Sequence, residues 1–314
     1  LKKGIVIKST GSWYDVKDIE DNSIVACRIV GKFRLNGLGL TNPVAVGDKV
    51  QFEIEADEKG IIKKIDSRAN YVVRQSPRKK HQLHLLASNI DQALVIMTIV
   101  HPKLKQGFID RFLLMTEPHN IPVIIAFNKS DLWGENEEEI FEILKLIYED
   151  IGYKVVAVSA IDKNGISDLA DKMKDKTTLI CGQSGVGKSS ILKAIDPSLD
   201  IKVQEISDYS GKGQHTTTFA EMHHFNDSNI IDTPGIKTLS FNNLSPQDIA
   251  HNFREIFNKS VDCRFSNCMH REEPGCAVKA DIEEGYISEL RYENYLKILE
   301  EVEDQNYWER HTHM

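Results

Sequence analysis

The stretch Gly182-Gln183-Ser184-Gly185-Val186-Gly187-Lys188-Ser189 constrains this chain more than any other. It fits G-x-x-x-x-G-K-[ST], the phosphate-binding loop, a motif that works only between a strand and a helix. Both flanks comply. Thr177-Thr178-Leu179-Ile180-Cys181 reads as a buried strand, and Ser190-Ile191-Leu192-Lys193-Ala194-Ile195 as the first turns of a helix. Glycines let successive backbone N–H groups turn inward around phosphate oxygens. Lys188 adds a cation near the β- and γ-phosphates, and the Ser189 hydroxyl can ligate Mg²⁺. The helix N-terminus, with Ser190 in its first turn, adds its own positive end. The competing reading, a Gly-rich turn that matches by chance, has to explain away the strand–loop–helix context.

Two further segments select the base. Asn128-Lys129-Ser130-Asp131 is N-K-x-D and directly follows the apolar run Ile121-Pro122-Val123-Ile124-Ile125-Ala126-Phe127. The Asp131 carboxylate can accept from both N1–H and the 2-amino group of guanine. Adenine offers neither donor and would leave a buried acceptor unpaired, at a cost of about 1–3 kcal/mol or more. Asn128 can bond the base and brace the phosphate loop, and the Lys129 stem can cover the ring. Ser159-Ala160, after the strand Lys154-Val155-Val156-Ala157-Val158, is the weaker companion, placed to meet the guanine O6 with its backbone.

Asp232-Thr233-Pro234-Gly235 is D-x-x-G after the short apolar strand Asn229-Ile230-Ile231. Asp232 would hold Mg²⁺ through water, and the Gly235 N–H would sense the γ-phosphate. Between the two motifs lies Gly211-Lys212-Gly213-Gln214-His215-Thr216-Thr217-Thr218. One hydroxyl among Thr216, Thr217 and Thr218 can complete the Mg²⁺ shell; the sequence does not say which. Many GTPases place a Gln just after D-x-x-G to orient the attacking water, but that position here is Ile236. His215 is the candidate for that role beside Lys188 as charge stabiliser. The alternative is that His215 only shapes its loop.

A second chemistry stands near the C-terminus. Cys263, Cys268, His270 and Cys276 form C-x4-C-x-H-x5-C. Three thiolates and one imidazole suit a closed, structural, tetrahedral zinc site. Asn267, Pro274 and Gly275 favour the tight turns of such a knuckle. A disulfide framework is the rival. It is disfavoured because no secretory leader is expected and the remaining two of five cysteines, Cys27 and Cys181, fall in strand patterns.

The order of the motifs is the other large clue. N-K-x-D (128) and S-A (159) come before the phosphate loop (182), the threonines (216–218) and D-x-x-G (232), whereas most GTPases place them after these motifs. The same sheet can be built with the chain cut elsewhere, because the termini of compact domains often lie close together. With Asn89-Ile90-Asp91-Gln92 ahead of the first strand, Gly213-Gln214-His215-Thr216-Thr217-Thr218 and the Cys/His cluster, the chain resembles the circularly permuted ribosome small subunit-dependent GTPases (GTPase A family) along essentially its whole length. That resemblance implies GTP hydrolysis stimulated by the small ribosomal subunit, in a late step of its maturation. The barrel and zinc domains would grip ribosomal RNA.

The rest of the chain is consistent with that plan. Residues 1–70 carry five short, partly alternating segments (4–8, 13–16, 23–28, 48–54 and 61–65), which suit a small β-barrel of the oligonucleotide-binding type. Phe33, between Lys32 and Arg34, reads equally as an RNA-contacting loop residue or a barrel plug. Residues 71–242 alternate strand and helix, with strands at 93–100, 122–127, 154–158, 177–181 and 229–231 and helices at 137–150 and 167–174, the pattern of a mostly parallel sheet. Residues 243–314 read as helical with the zinc knuckle inserted. Ser245-Pro246-Gln247-Asp248 marks a helix start, and Tyr292, Tyr295, Leu296, Leu299 and Val302 mark a packed face. The expected fold class is therefore multidomain: a barrel, a permuted α/β P-loop GTPase domain and a helical zinc-binding domain.

Net charge is −8, which excludes a uniformly RNA-binding surface. Residues 63–80 nevertheless hold seven Lys/Arg against Asp66 alone, while residues 281–309 hold ten acids against Arg291 and Lys297. Lys63, Lys64, Arg68, Arg74, Arg78, Lys79 and Lys80 are expected to face phosphates, unless the run is only a solvated linker. No run approaches the roughly twenty apolar residues of a membrane span. A cytoplasmic, monomeric protein without membrane contact is expected, with GTP/GDP, the small subunit and its RNA as partners, and with Zn²⁺ and Mg²⁺ as ions. A signalling or metabolic GTPase with protein partners, or an RNA-binding protein with a dead nucleotide site, are the alternatives. Intact Lys188, Ser189, Asp232, Asn128 and Asp131 argue against the last.

Overall fold

The computed structural model describes residues 1–29, 42–56, 58–75, 83–199, 220–225, 227–233 and 244–311. Five strands, β1 (Lys2–Ser9), β2 (Tyr14–Asp18), β3 (Ile24–Ile29), β4 (Lys49–Ile54) and β5 (Gly60–Ile65), run in the order 1-2-3-5-4 and close through β1–β4 pairing. β3 and β5 pair in parallel and the other neighbours antiparallel. Alternation drives the closure. β2 reads buried-half-buried along its length, and its inward Tyr14 and Val16 meet Val6, Cys27, Val50, Phe52 and Ile62 in one closed core.

A hairpin follows, β6 (Tyr71–Gln75) with β7 (Leu83–Ser88), and then the central sheet: β8 (Gln92–Met97), β9 (Val123–Phe127), β10 (Lys154–Ala157), β11 (Thr177–Gly182), β12 (Glu221–Phe225) and β13 (Ser228–Asp232). Their order is 10-9-8-11-13-12, parallel except for β12, which pairs antiparallel to β13. β8 and β9 are buried at every position, as parallel strands covered on both faces must be. Helices α1 (Gln106–Thr116), α2 (Glu135–Asp150), α3 (Ile166–Met173) and α4 (Lys188–Ile195) supply the cover. Four more, α5 (Pro246–His251), α6 (Arg254–Ser260), α7 (Ala277–Glu283) and α8 (Glu289–His311), complete the described chain. Ser245 caps α5 by accepting from the Asp248 N–H at 3.2 Å, while Asp248 accepts from the Ser245 N–H at 2.8 Å. No described helix is long and apolar enough to cross a membrane.

The basic run 63–80 is not a plain linker: it contains the end of β5 and all of β6. Arg68 does not face phosphate as the basic run predicts. Arg68 turns inward and grips the buried Asp48 with two bonds of 2.6 Å, and Ser88 Oγ donates to the same carboxylate at 2.6 Å. A guanidinium held by two charge-assisted bonds is committed to joining barrel and hairpin, not to solvent-side phosphate. Lys63 pairs with Glu53 at 3.0 Å across the barrel surface. Arg78, Lys79, Lys80 and Phe33 lie outside the described residues, as does the Arg74 side chain.

The helical C-terminal region shares a core with the sheet domain. Phe108, Phe112 and Leu113 of α1 form one apolar cluster with Ile249, Phe253, Tyr295, Ile298, Leu299 and Val302. At the seam, Arg291 of α8 is 2% exposed. It donates to Asp110 of α1 at 2.6 Å and to both oxygens of Glu255 of α6 at 2.8 and 3.0 Å. Its guanidinium also lies 4.6 Å from the Phe253 ring centre. Burial opposes the charge on Arg291, but the two carboxylates more than offset it and hold its pKa above the ordinary value.

Candidate nucleotide pocket and metal centre

β8, β9 and β11 end side by side, so their loops converge on one edge of the sheet. Open parallel sheets place ligands at such carboxyl ends. The loop 182–187 leaves β11 and enters α4 at Lys188. Gly187 takes φ +90°, and a Cβ there would lie 2.3 Å from Asn128 Nδ2, so only glycine allows this approach. Asn128 uses it: its amide donates to the Val186 carbonyl at 2.8 Å, and its side-chain oxygen accepts from the Ala160 N–H at 3.3 Å. One buried side chain thus ties the phosphate loop, the N-K-x-D turn and the S-A turn together.

Lys129 extends over the same loop and donates to the Gly185 carbonyl at 2.9 Å and to the His101 carbonyl. Asp131 accepts from Ser159 Oγ at 2.6 Å, and that hydroxyl accepts from the Asp162 N–H at 3.0 Å, which orients the carboxylate. The Ser130 N–H bonds the Val158 carbonyl at 3.2 Å, fixing the turn to β10's end. Lys188 donates to the carbonyls of Gly182 (2.9 Å) and Gln183 (3.1 Å). Burial lowers its pKa, opposed by Cys181 and by the Asp232 carboxylate at the end of the neighbouring β13. Gln183 is half-buried, Ser184 and Gly185 are exposed, and Ser189 and Ser190 are half-buried in the first turn of α4. His215, Thr216, Thr217, Thr218, Gly235 and Ile236 lie outside the described residues. The contact of Lys129 with His101 had no signal in the sequence, because residues 98–105 carry no motif.

The second centre lies between α6 and α7. Ligand atoms of Cys263, Cys268, His270 and Cys276 all lie within 4.8 Å of one another. Tetrahedral bonds of about 2.3 Å to sulfur and 2.0–2.1 Å to nitrogen require about 3.8 Å between sulfurs and about 3.6 Å between sulfur and nitrogen. The Cys263–Cys276 sulfurs are 4.0 Å apart, and His270 Nδ1 is 3.7 Å from Cys263 Sγ and 3.4 Å from Cys276 Sγ. The donor set therefore fits a metal ion such as zinc. Glu273 braces the turn by accepting from the Met269 and Arg271 N–H groups, each at 2.7 Å. Tyr292 and Tyr295 of α8 donate to the carbonyls of His270 (2.6 Å) and Met269 (2.9 Å), so the expected packed face also orients the cluster.

Fold and pocket together define a phosphate-loop GTPase domain whose base-reading turns precede its phosphate loop in the chain. Residues 65–242 match the RsgA GTPase family and residues 3–62 the RsgA N-terminal domain. A small ribosomal subunit biogenesis GTPase from Bacteroides fragilis is 45% identical over 306 residues, covering 97% of this chain and 98% of that protein. Its counterpart from Christiangramia forsetii is 46% identical over 306 residues, covering 96% and 97%. Among solved structures, YjeQ from Thermotoga maritima superposes with a TM-score of 0.77 at 32% identity, covering 96% of this chain and 98% of that one. YloQ, described as a circularly permuted GTPase, gives 0.73 at 31% identity, covering 97% and 96%. The chain belongs to the RsgA GTPase family and is a GTP hydrolase.

Proposed function

We propose that this GTPase acts in the biogenesis of the small ribosomal subunit: it binds the subunit and its RNA late in maturation, and the subunit stimulates GTP hydrolysis. The observation carrying this reading is the near full-length similarity to proteins so named, with 97% of this chain covered. The closed barrel and the Cys/His knuckle on either side of the GTPase domain support it, since both are elements that can present surfaces to RNA. Domain limits of 1–70, 71–242 and 243–314, a monomeric state and a cytoplasmic location belong to the same reading.

In the pocket, Asn128, Asp131, Ser159 and Ala160 would read guanine, with Lys129 and Ser130 holding the turn. Residues Gly182, Gln183, Ser184, Gly185, Val186, Gly187, Lys188, Ser189 and Ser190 would cradle the phosphates. Thr216, Thr217, Thr218 and Gly235 would follow the γ-phosphate, and His215 would position water. Ser189 and Asp232 would hold Mg²⁺, which neutralises charge on the phosphates when bound. The Lys188 ammonium, resting on two carbonyls, would exchange those partners for phosphate oxygens. Zinc is the proposed occupant of the Cys263, Cys268, His270 and Cys276 site.

The test is co-sedimentation with purified small subunits. Binding should be tighter with a non-hydrolysable GTP analogue than with GDP, and turnover should rise with added subunits. If neither occurs, the role passes to a signalling GTPase with protein partners. Asp131→Asn should admit xanthine bases, whose C2 oxygen accepts rather than donates, and lose discrimination for guanine of about 1–3 kcal/mol in a competition assay. Cys268→Ser should release one zinc per chain and raise amide exchange across residues 263–276, because structural zinc supplies folding energy. GTP binding should persist, since none of the pocket contacts described above involves a ligand of the cluster.

A further inference from the structure

Helix α2 carries a surface that neither the nucleotide pocket nor the metal centre uses. Its inner face buries Phe141, Leu144 and Tyr148. Its outer face should be polar, yet Ile140, Ile143 and Leu146 are 39%, 53% and 72% exposed. At helical spacing these three and the half-buried Ile147 form one stripe running out from the buried face. Along the stripe's far side run Glu135, Glu142 and Glu149, seven residues apart, so they form a ridge parallel to it. Glu138 lies beyond that ridge, and Glu139 and Asp150 sit between the apolar positions. None of these six acids has an ion-pair partner among the described residues, and Lys145 is the helix's only cation.

An exposed apolar stripe beside an acidic ridge that a single lysine, Lys145, offsets only in part restricts what can cover it. RNA and anionic membranes are repelled. A second copy docking through the same stripe would set ridge against ridge. The apolar positions need an apolar counterpart, and the ridge needs cations at matching spacing. We propose that this face of α2 docks a basic amphipathic protein segment, and, resting on the ribosomal reading above, one belonging to a protein of the small subunit rather than to its RNA.

The sign of a charge reversal separates the cases. The triple variant Glu135→Lys, Glu142→Lys, Glu149→Lys keeps helix-forming residues at exposed positions, none of them among the pocket residues described above, so intrinsic GTPase activity should not change. Its affinity for purified small subunits, with a non-hydrolysable GTP analogue, should fall about tenfold or more, and the loss should shrink as salt rises. Unchanged or increased affinity overturns the inference, an increase being the result expected if the helix faced RNA. A photo-crosslinking residue at position 146 of the otherwise unchanged full chain gives a readout that does not depend on charge. With subunits bound, it should attach to a Lys/Arg-rich peptide that survives ribonuclease. Attachment to RNA alone, or none while the subunits co-sediment, overturns the inference and leaves the proposed function standing. Failure of the parent chain to bind subunits at all overturns both.

Discussion

Lys188→Ala should lower kcat/KM for GTP by about 10²-fold or more, the scale of removing one preorganised charge stabiliser. The reason is local. Lys188 is half-buried and the only cation in residues 182–189, and its two present partners are carbonyls of that same loop. Removing the ammonium leaves the Gly182 and Gln183 carbonyls near the phosphate site without their cation. Neither Lys129, committed to the Gly185 and His101 carbonyls, nor any other lysine contacting the loop among the described residues can take its place. Steady-state turnover and nucleotide titration read the two halves of the effect. Turnover within a few-fold of the parent would mean that this loop is not where GTP is hydrolysed.

Arg291→Met should destabilise the docking of the C-terminal helices by about 3–5 kcal/mol, because removing one member of a buried charge set strands the others. Asp110 is fully buried, and Glu255 keeps little exposure. Asp110 would retain only Tyr148 (2.7 Å), Asn294 (2.7 Å) and Gln106 (2.9 Å) as donors, all neutral. Two comparisons calibrate the figure. Arg254 also makes a two-pronged pair, with Glu117 at 2.8 and 2.9 Å, but its side chain is partly in water. The exposed pair Arg271–Glu303 should be worth about 0–1 kcal/mol. Denaturant unfolding of metal-loaded protein, followed by amide exchange of α5–α8, measures the change. The variant Arg291→Met, Asp110→Leu, Glu255→Leu should recover most of the loss, since replacing a whole buried charge set by apolar groups is often near neutral. A cost below 1 kcal/mol for Arg291→Met would mean that the apolar cluster alone holds the seam.

Much of the architecture was legible in the residues. The barrel strands fall within a few residues of their alternating segments, as do the five apolar strands of the central sheet. The elements that escaped each lack a local signal, for different reasons. β12, Glu221–Phe225, reads Glu-Met-His-His-Phe, and this strand between β13 and β1 is at most partly buried before Phe225, so no period of two is written into it. The hairpin β6–β7 lies partly in a basic run whose charge masked its pairing with the barrel through Val46 and Ala87. Helix α1 has no side-chain cap and starts Gln-Gly, so its boundary carried no signal although Phe108, Ile109, Phe112 and Leu113 are buried.

Site chemistry divides along a similar line. Motifs such as G-x-x-x-x-G-K-S, N-K-S-D and C-x4-C-x-H-x5-C are contiguous because backbone N–H groups, a base-edge acceptor or a small ion must be met by neighbours in the chain. Their residue types and spacing therefore announce the chemistry before any fold is known. Contacts between distant segments leave no such record. That Asn128 bridges to Val186 and Ala160, that Arg68 belongs to Asp48 and not to solvent, and that Arg291 reaches Asp110 across 181 positions of chain all depend on which elements pack together. The same holds for α2, whose sequence shows apolar and acidic residues but not which of its faces the sheet leaves bare. Tertiary packing alone chooses a side chain's partner when the candidates are far apart in sequence, because burial and charge compensation are settled by the neighbours that the fold supplies.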